Sequence, residues 1–280
     1  MKAEIKPQTF SNKFAGLEMY FSPEIAKKFA ELEQNEKNFG VARIVDTLLI
    51  QESAKLKTPL YSAELGGGAH PDRYDEFFDK LISENGHIDW VDIAPEMLKL
   101  AKEYLSAEKY QDRKKVISFI ESELLEYLES LENGKLDLAI MKYTLDCIAD
   151  LEILFKLLSL KLAPGGKLIA TIGNASPKLR SHSTNARFLY NGEQFPDNET
   201  RTLKDGDNFT VKFFKVSGDP TAGYLEGAET IKYYHSAEKI KRLAESFDFD
   251  IFLGDWKSIV PQENQKGETM SQEVLVLTKR

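Results

Sequence analysis

The sequence has little cysteine or histidine and no long apolar run. Cys147 is the only cysteine among 280 residues, so no internal disulfide can form, and a reducing, cytoplasmic location is expected. No stretch approaches the roughly 18 apolar residues of a membrane span, and Met1–Pro7 carries no apolar signal region. No Cys/His group has zinc-site spacing, and no carboxylate pattern predicts bound Mg²⁺. These absences argue against a secreted disulfide scaffold, a membrane protein and a metal-centred domain.

Basic residues are also in the minority. The chain has 37 Lys and Arg against 45 Asp and Glu, which gives a net charge of -8. An extended nucleic-acid footprint needs clustered cations, so this balance argues against nucleic-acid and membrane partners and favours a small-molecule substrate. Apolar residues make up 42% of the chain, enough for the core of one large α/β domain with additions.

A glycine-rich segment follows the first predicted strand. The run Leu60–Leu65 is mostly apolar, and Gly66, Gly67 and Gly68 come directly after it. Glycines at such a bend let the chain turn sharply and let a ligand approach the backbone. A carboxylate at Glu64 would repel a dinucleotide pyrophosphate, which binds bare N–H groups and positive potential, but it would attract an ammonium group. The segment therefore favours S-adenosylmethionine over NAD.

A second strand and helix follow, with an acid between them. Gly86–Asp92 predicts a short strand ending in Asp92, and Pro95 suits the first position of the next helix. An acid at the end of the second strand of such a unit is placed to bind two ribose hydroxyls, although it would also suit a helix cap. The dinucleotide fingerprint would require a glycine where Pro71 stands. Asp92 thus supports a nucleotide-like ligand, and Pro71 argues against NAD.

Five segments, taken together, resemble the class I S-adenosylmethionine-dependent methyltransferases. The resemblance spans about residues 58–174 and resumes from about residue 230. The first segment is similar to the family's E/D-x-G-x-G-x-G motif with histidine in place of the last glycine, and the fifth is similar to its L-x-P-G-G-x-L turn. In chain order the segments are Glu64–His70, Val91–Leu98, Glu121–Ser122, Leu136–Met141 and Leu162–Leu168.

The resemblance implies a Rossmann-like, doubly wound, mostly parallel sheet of seven strands, preceded by helices and interrupted by a β-rich insertion. It implies methyl transfer from S-adenosylmethionine by in-line displacement, to a small molecule as the acidic composition suggests. The ligand is expected beyond the carboxyl ends of the strands. The expected cofactor-binding residues are Glu64, Gly66, Gly67, Gly68, Asp92, Ile93, Met97, Glu121, Ser122, Lys142, Tyr143 and Tyr20.

The chain is expected to divide into three parts. Residues 1–57 predict an N-terminal helical cap, with one helix starting at Ser22–Pro23 and another over Val41–Glu52. Residues 58–175 and 228–280 form the expected cofactor-binding core. Residues 176–227 are polar and rich in turns, and they predict an insertion that covers the substrate; a plain surface excursion is the alternative. Within it, 209–216 has strand character and could pair with 230–234.

Three residues are candidates for the methyl-transfer chemistry. His235 enters the helix after the insertion and is the first candidate for a general base. Asp146, about one turn beyond the fourth strand, could orient an acceptor or hold a cationic amine, although an acid at a helix start is the simpler interpretation. Tyr143 could pack on cofactor or acceptor. A general base is needed only if the acceptor must lose a proton.

Two alternatives remain open from the sequence. The chain could methylate protein or RNA, and the candidate basic strip for RNA consists of Lys178, Arg180, Arg187, Arg201 and Lys204. It could instead be a non-catalytic nucleotide-binding protein that keeps the cofactor fold.

Overall fold

A central sheet of seven strands organises the protein. The computed structural model describes residues 18–36, 41–173, 176–216, 218–260 and 273–280. The strand order is β11-β12-β5-β4-β1-β2-β3, with β12 antiparallel to both neighbours and the other pairs parallel. Its strands are β1 (Tyr61–Leu65), β2 (His87–Asp92), β3 (Ile117–Glu121), β4 (Leu136–Met141), β5 (Leu162–Ile172), β11 (Phe249–Asp255) and β12 (Glu273–Lys279). The seven-stranded, mostly parallel sheet confirms the expected Rossmann-like fold.

Alternating side chains divide the core between the two faces of this sheet. Successive residues of a strand point to opposite faces, so Ala139 and Met141 of β4 join one cluster while Leu138 and Ile140 join the other. All four are fully buried. Buried residues on both faces are typical of a parallel sheet covered by helices on each side.

Seven helices of the described chain accompany the sheet. Helices α5, α6 and α7 contribute to one core cluster, and α2 and α3 to the other. The helices are α1 (Pro23–Glu36), α2 (Val41–Ser53), α3 (Asp75–Ser83), α4 (Pro95–Tyr104), α5 (Leu124–Ser130), α6 (Leu151–Lys161) and α7 (Ala237–Ser246). None of the helices in the described part of the chain has the length and apolar character needed to span a bilayer.

The segment after β5 forms two small antiparallel sheets. One has the order β10-β9-β7 and the other pairs β6 with β8. The five strands are β6 (Lys178–Arg180), β7 (Ala186–Tyr190), β8 (Thr200–Thr202), β9 (Asn208–Val216) and β10 (Asp219–Tyr233). Thr230 pairs with Val211 and Tyr233 with Asn208, as the strand character of both segments predicted.

After the glycine loop, a short 3-10 turn, Pro71–Arg73, comes before α3. Two local features differ from the sequence expectations. The Leu162–Leu168 segment runs into β5 with a break in register rather than forming a separate turn. The expected division at residues 227/228 falls inside β10, because this strand stays paired with β9 through Tyr233. Residues 1–17 and 37–40 of the expected N-terminal cap lie outside the described residues.

Candidate functional site

A cavity of about 770 Å³ lies at the carboxyl ends of the parallel strands, between the sheet and the inserted strands. Because β1 sits between β2 and β4, the loops after these strands diverge and leave a crevice there. At its glycine-loop end the cavity is lined by Gly66, Gly67, Gly68, Asp92, Ile93, Met97 and Ser122. At its insertion end it is lined by Asp146, Cys147, Gly173, Leu179, Phe188, Phe209, Val211, Phe213 and Lys232.

The glycine loop is held by bonds within the protein. Gly66 N and Gly67 N both donate to the Val91 carbonyl at 2.9 Å, and Gly68 N donates to Asp92 Oδ2 at 2.8 Å. Trp90 Nε1 in turn donates to the Gly68 carbonyl at 2.9 Å. These three N–H groups are therefore engaged within the protein, whereas a pyrophosphate site relies on N–H groups that point at the ligand.

Packing explains why this loop needs glycine. Gly66 and Gly68 have φ values of +80° and +64°, which disfavour residues with a Cβ. A Cβ at Gly67 would lie 2.3 Å from Trp90 Nε1, and one at Gly66 would lie 2.5 Å from Thr144 Oγ1. The glycines thus leave room for protein side chains, in addition to lining the cavity as expected from the sequence.

Asp92 is oriented by the backbone on both sides. Its Oδ2 accepts from Gly68 N, and its Oδ1 accepts from Ala94 N at 2.9 Å, just before α4 begins at Pro95. The side chain is half-buried and borders the cavity. Asp92 therefore orders the turn ahead of α4 but does not cap the helix, whose N-cap residue is Ala94. Each carboxylate oxygen can accept a second hydrogen bond, so the expected bonds from ligand hydroxyls fit this geometry.

Glu64 lies behind the cavity wall. It is 1% exposed, the Tyr74 hydroxyl donates to its Oε1 at 3.3 Å, and its Oε2 has no hydrogen-bond partner among the described residues. Burial raises the pKa of this carboxyl to about 8, although the charges of Lys142 and Arg73 oppose the shift. Lys142 and Arg73 line the cavity themselves. Glu64 is therefore outside the cavity lining, and with this pKa its carboxyl is mostly protonated at neutral pH.

The two residues expected at the end of β3 lie in different depressions. Ser122 lines the cavity, and its N–H donates to the Asp92 carbonyl at 3.1 Å. Glu121 is exposed and borders a different surface depression, beside Phe119 and Lys102. Glu121 is the last residue of β3, whereas Ser122 begins the loop after the strand, and only the loop reaches the cavity lining. The structure thus argues against Glu121 as a contact residue, and it adds Glu123 and Leu124 to the lining.

The N-terminal helix and the insertion meet over the cavity. The rings of Tyr20 and Phe29 pack edge to face with centroids 5.3 Å apart, and Phe29 packs likewise on Phe213 of β9 at 4.9 Å. All three rings line the cavity. His70 ties the glycine loop to the same helix, because its Nε2 lies 2.8 Å from the Ala30 carbonyl. Tyr20 and α1 therefore cover the site as well as packing on the fold.

Asp146 is buried at the insertion end of the cavity. Its Oδ2 accepts a hydrogen bond from Gly173 N at 2.8 Å, and Asp146 as a whole is 8% exposed. Burial raises the pKa of this carboxyl, while the nearby charge of Lys232 lowers it. A carboxyl with a raised pKa in a cavity is suited to accept a proton.

Lys232 links the insertion to the segment after β4. Its Nζ donates to the Tyr143 carbonyl at 2.7 Å and to Cys147 Sγ at 3.0 Å. Tyr143 itself has φ +59°, a sparsely populated conformation for a residue with a Cβ, and its N–H donates to Thr171 Oγ1 at 2.9 Å. Lys232 therefore holds a strained turn whose residues border the cavity.

His235 is buried away from the cavity lining. Its Nε2 lies 2.8 Å from the Ile148 carbonyl and its Nδ1 lies 3.5 Å from Lys239 Nζ. Burial lowers the pKa of this imidazole, and the residue is 4% exposed. Because its Nε2 serves a structural contact, the geometry argues against the expectation that His235 acts as a general base.

Several site residues were missed in the sequence. Lys232 lies in β10, and nothing local in the sequence marks which face of that strand meets the cavity. Cys147 and Gly173 follow β4 and β5, so the rule that ligands bind beyond strand ends would have found them. Arg73 follows the glycine loop closely, and a count of cations near that loop would have identified it.

Comparisons with known proteins agree with this architecture. A methyltransferase-domain family profile matches residues 75–245, which is more than half of the chain. A solved S-adenosylmethionine-dependent methyltransferase from Clostridium acetobutylicum ATCC 824 is 17% identical, with a TM-score of 0.56, over 90% of this chain and 98% of that one. The CcbJ methyltransferase from Streptomyces caelestis is 15% identical, with a TM-score of 0.50, over 85% of this chain and 95% of that one. No curated protein matches the chain significantly.

At these identities the two solved structures show the fold alone, and the family profile carries the assignment. The profile begins at Asp75, after the glycine loop, so the geometry of Gly66–Gly68 adds support from residues that the profile does not cover. The chain therefore belongs to the methyltransferase-domain family, as a class I enzyme whose cofactor is S-adenosylmethionine.

Proposed function

We propose that this methyltransferase transfers the methyl group of S-adenosylmethionine to a small-molecule acceptor bound at the insertion end of the cavity. The observation that carries the proposal is the enclosure of that end. The inserted strands, the Tyr20–Phe29–Phe213 aromatic contacts and the sheet edge surround a cavity of about 770 Å³, within the usual range for small-molecule sites.

The residues at the glycine-loop end fit the cofactor. The carboxylate of Asp92 would accept from the two ribose hydroxyls, and Ile93, Met97 and Ser122 would border the adenine. Arg73 and Lys142 would hold the carboxylate of the methionine part. The negative charge that Glu64 can develop would favour its ammonium group. The bound cofactor supplies an activated methyl group, so these residues need only bind and orient it.

The charge of the lining favours a small molecule over RNA. Six carboxylates line the cavity, Asp92, Glu123, Glu126, Glu129, Asp146 and Asp150, against the three cations Arg73, Lys142 and Lys232. In the candidate basic strip, Arg187 pairs with Asp197 and Arg201 pairs with Glu199. Phosphate groups would meet repulsion in the cavity and partly neutralised cations outside it.

The proposal is tested by following the methyl group. The purified chain is incubated with methyl-labelled S-adenosylmethionine and a cell extract, and the mixture is divided by ultrafiltration. We expect enzyme-dependent label in the low-molecular-mass fraction, and clearly less of it with the Asp92→Ala variant at a subsaturating cofactor concentration. Label in protein or RNA alone would contradict it and would favour the macromolecular alternative.

A further inference from the structure

The insertion end of the cavity combines an acid, a cation and apolar rings. Asp146 and Lys232 both line it and interact electrostatically. The facing wall comes from the inserted sheet and contains Phe188 and Phe209, whose rings pack edge to face at 5.8 Å, together with Val211. This wall suits a flat apolar body, and the pair of opposite charges suits one polar group.

The charges limit which polar group would fit. An acceptor with a carboxylate would meet the negative field of Asp146, and one with a permanent ammonium would meet Lys232 at the same place. Either would place like charges side by side in a buried setting. A neutral group that carries an acidic proton is repelled by neither Asp146 nor Lys232. Its proton can pass to the carboxylate, and the charge left on its oxygen lies near the ammonium.

We propose that the acceptor is a hydroxyl on a planar, apolar body, of the phenol class, with Asp146 as proton acceptor and Lys232 as the residue that stabilises the developing oxyanion. The inference rests on the proposed small-molecule function. The acceptor O–H bond breaks and its proton goes to Asp146. The oxygen forms the new bond to the methyl carbon, and the electron pair of the broken C–S bond stays on the sulfur of the product.

The positions of both groups are fixed by the fold. Gly173 N at the end of β5 holds one oxygen of Asp146, and Lys232 is held by the Tyr143 carbonyl and Cys147 Sγ. Such fixed charges need little rearrangement as charge develops on an acceptor, which is the basis of electrostatic preorganisation. An ammonium carries three donors, and its charge acts over several ångström beyond its hydrogen bonds.

The test uses 4-nitrophenol as a probe, because its ionised form is coloured. The full chain, saturated with S-adenosylhomocysteine, is titrated with the probe across a range of pH. The bound probe should ionise at least about one pH unit below the free probe, as a nearby opposite charge predicts. Lys232→Met should remove this shift, and Asp146→Asn should enlarge it. Two variants at one site with opposite effects separate electrostatics from a general loss of structure.

Controls make the outcome decisive. Lys212→Met removes a lysine of the same inserted sheet that pairs with Glu229 outside the cavity lining, and it should leave the shift unchanged. 4-Nitroaniline, which has a similar shape but no acidic hydroxyl, should bind at least tenfold more weakly. Equal binding of the two probes, no binding of nitrophenol, or an unaltered shift in Lys232→Met would overturn the hydroxyl assignment. Such a result would leave the proposed function intact if label still entered the low-molecular-mass fraction.

Discussion

The indole nitrogen of Trp90, in β2, donates a hydrogen bond of 2.9 Å to the carbonyl of Gly68, in the loop after β1. The same ring occupies the space that a Cβ of Gly67 would need. The second strand therefore fixes the glycine loop through one fully buried side chain. Since Asp92 ends that same strand and accepts from Gly68 N, one strand positions the loop and the carboxylate together.

The first prediction concerns Gly67. Replacing it with alanine should lower the free energy of unfolding by about 1–3 kcal/mol, the usual cost of overpacking a core, because the new Cβ would press on Trp90. Gly254→Ala is the matched control, since its Cβ would meet only an ordinary contact of 3.7 Å with Phe252. Urea unfolding measures both. Equal stability of the two variants would contradict the packing argument.

The second prediction concerns Asp92. Asp92→Ala should weaken binding of S-adenosylmethionine at least about tenfold, roughly the value of one lost hydrogen bond to a charged group. The loss includes the support that Asp92 gives to Gly68 N and Ala94 N. Asp112→Ala, which removes an exposed acid paired with Lys115, serves as control. Calorimetry that finds the same affinity for Asp92→Ala and the parent chain would remove Asp92 from the site.

The third prediction is a pH dependence that arises from Glu64. Its pKa in the folded state is about 8, raised from 4.5 by burial. The folded state therefore binds this proton more tightly than the unfolded state, and the associated stability is complete below pH 4.5. That stability declines as pH rises and is lost through pH 8. Glu64→Gln, which keeps a neutral side chain, should flatten this part of the profile.

Urea unfolding at several pH values compares the parent chain with Glu64→Gln. The pKa of Asp46 is also raised, to about 7, so this residue likewise lowers the free energy of unfolding as pH rises. Its contribution is the same in both proteins and cancels in the difference between them. Parallel stability profiles between pH 5 and pH 8.5 would show that Glu64 is ionised throughout, and the argument from burial would then be wrong.

The fourth prediction concerns the aromatic cover. Tyr20→Ala removes an edge-to-face contact with Phe29, worth about 0.5–1.5 kcal/mol. Cofactor should therefore dissociate several times faster, measured by stopped-flow displacement. Phe21→Ala is the control, because Phe21 is 43% exposed and does not line the cavity. If both variants release cofactor at the parent rate, α1 and Tyr20 only pack on the sheet.

The fifth prediction separates His235 from the chemistry. His235→Gln should retain methyl transfer to the low-molecular-mass acceptor within about threefold, since the imidazole is bound to the Ile148 carbonyl and lies outside the cavity lining. Asp146→Asn should reduce the same transfer by 10²-fold or more, in the range expected for loss of a general base. The reverse order of effects would restore His235 as the base.

The sequence predicted the fold, and most residues that it assigned to the glycine-loop end line the cavity, for a physical reason. Strand ends, glycines and acids such as Asp92 lie close together along the chain, and the parallel topology places them at one edge. The insertion end could not be predicted in this way. Lys232 meets Tyr143 across 89 positions of sequence, and only the register of β10 on β9 decides which face of the strand reaches the cavity.

Glu121 and His235 show the limit of residue chemistry without geometry. Both have suitable functional groups close to expected strand or helix ends, yet Glu121 faces another depression and His235 faces the Ile148 carbonyl. A shift of one residue along a strand reverses the direction of a side chain. Sequence position alone therefore indicated the region of the site, but not every side chain that lines the cavity.

The most direct test of the account is calorimetric titration of the full chain with S-adenosylmethionine, with NAD as a parallel ligand. We expect micromolar binding of S-adenosylmethionine and no binding of NAD. The N–H groups of Gly66, Gly67 and Gly68 already donate to Val91 and Asp92, so they are not directed at a pyrophosphate. Binding of NAD, or of neither ligand, would contradict the assignment of the cavity.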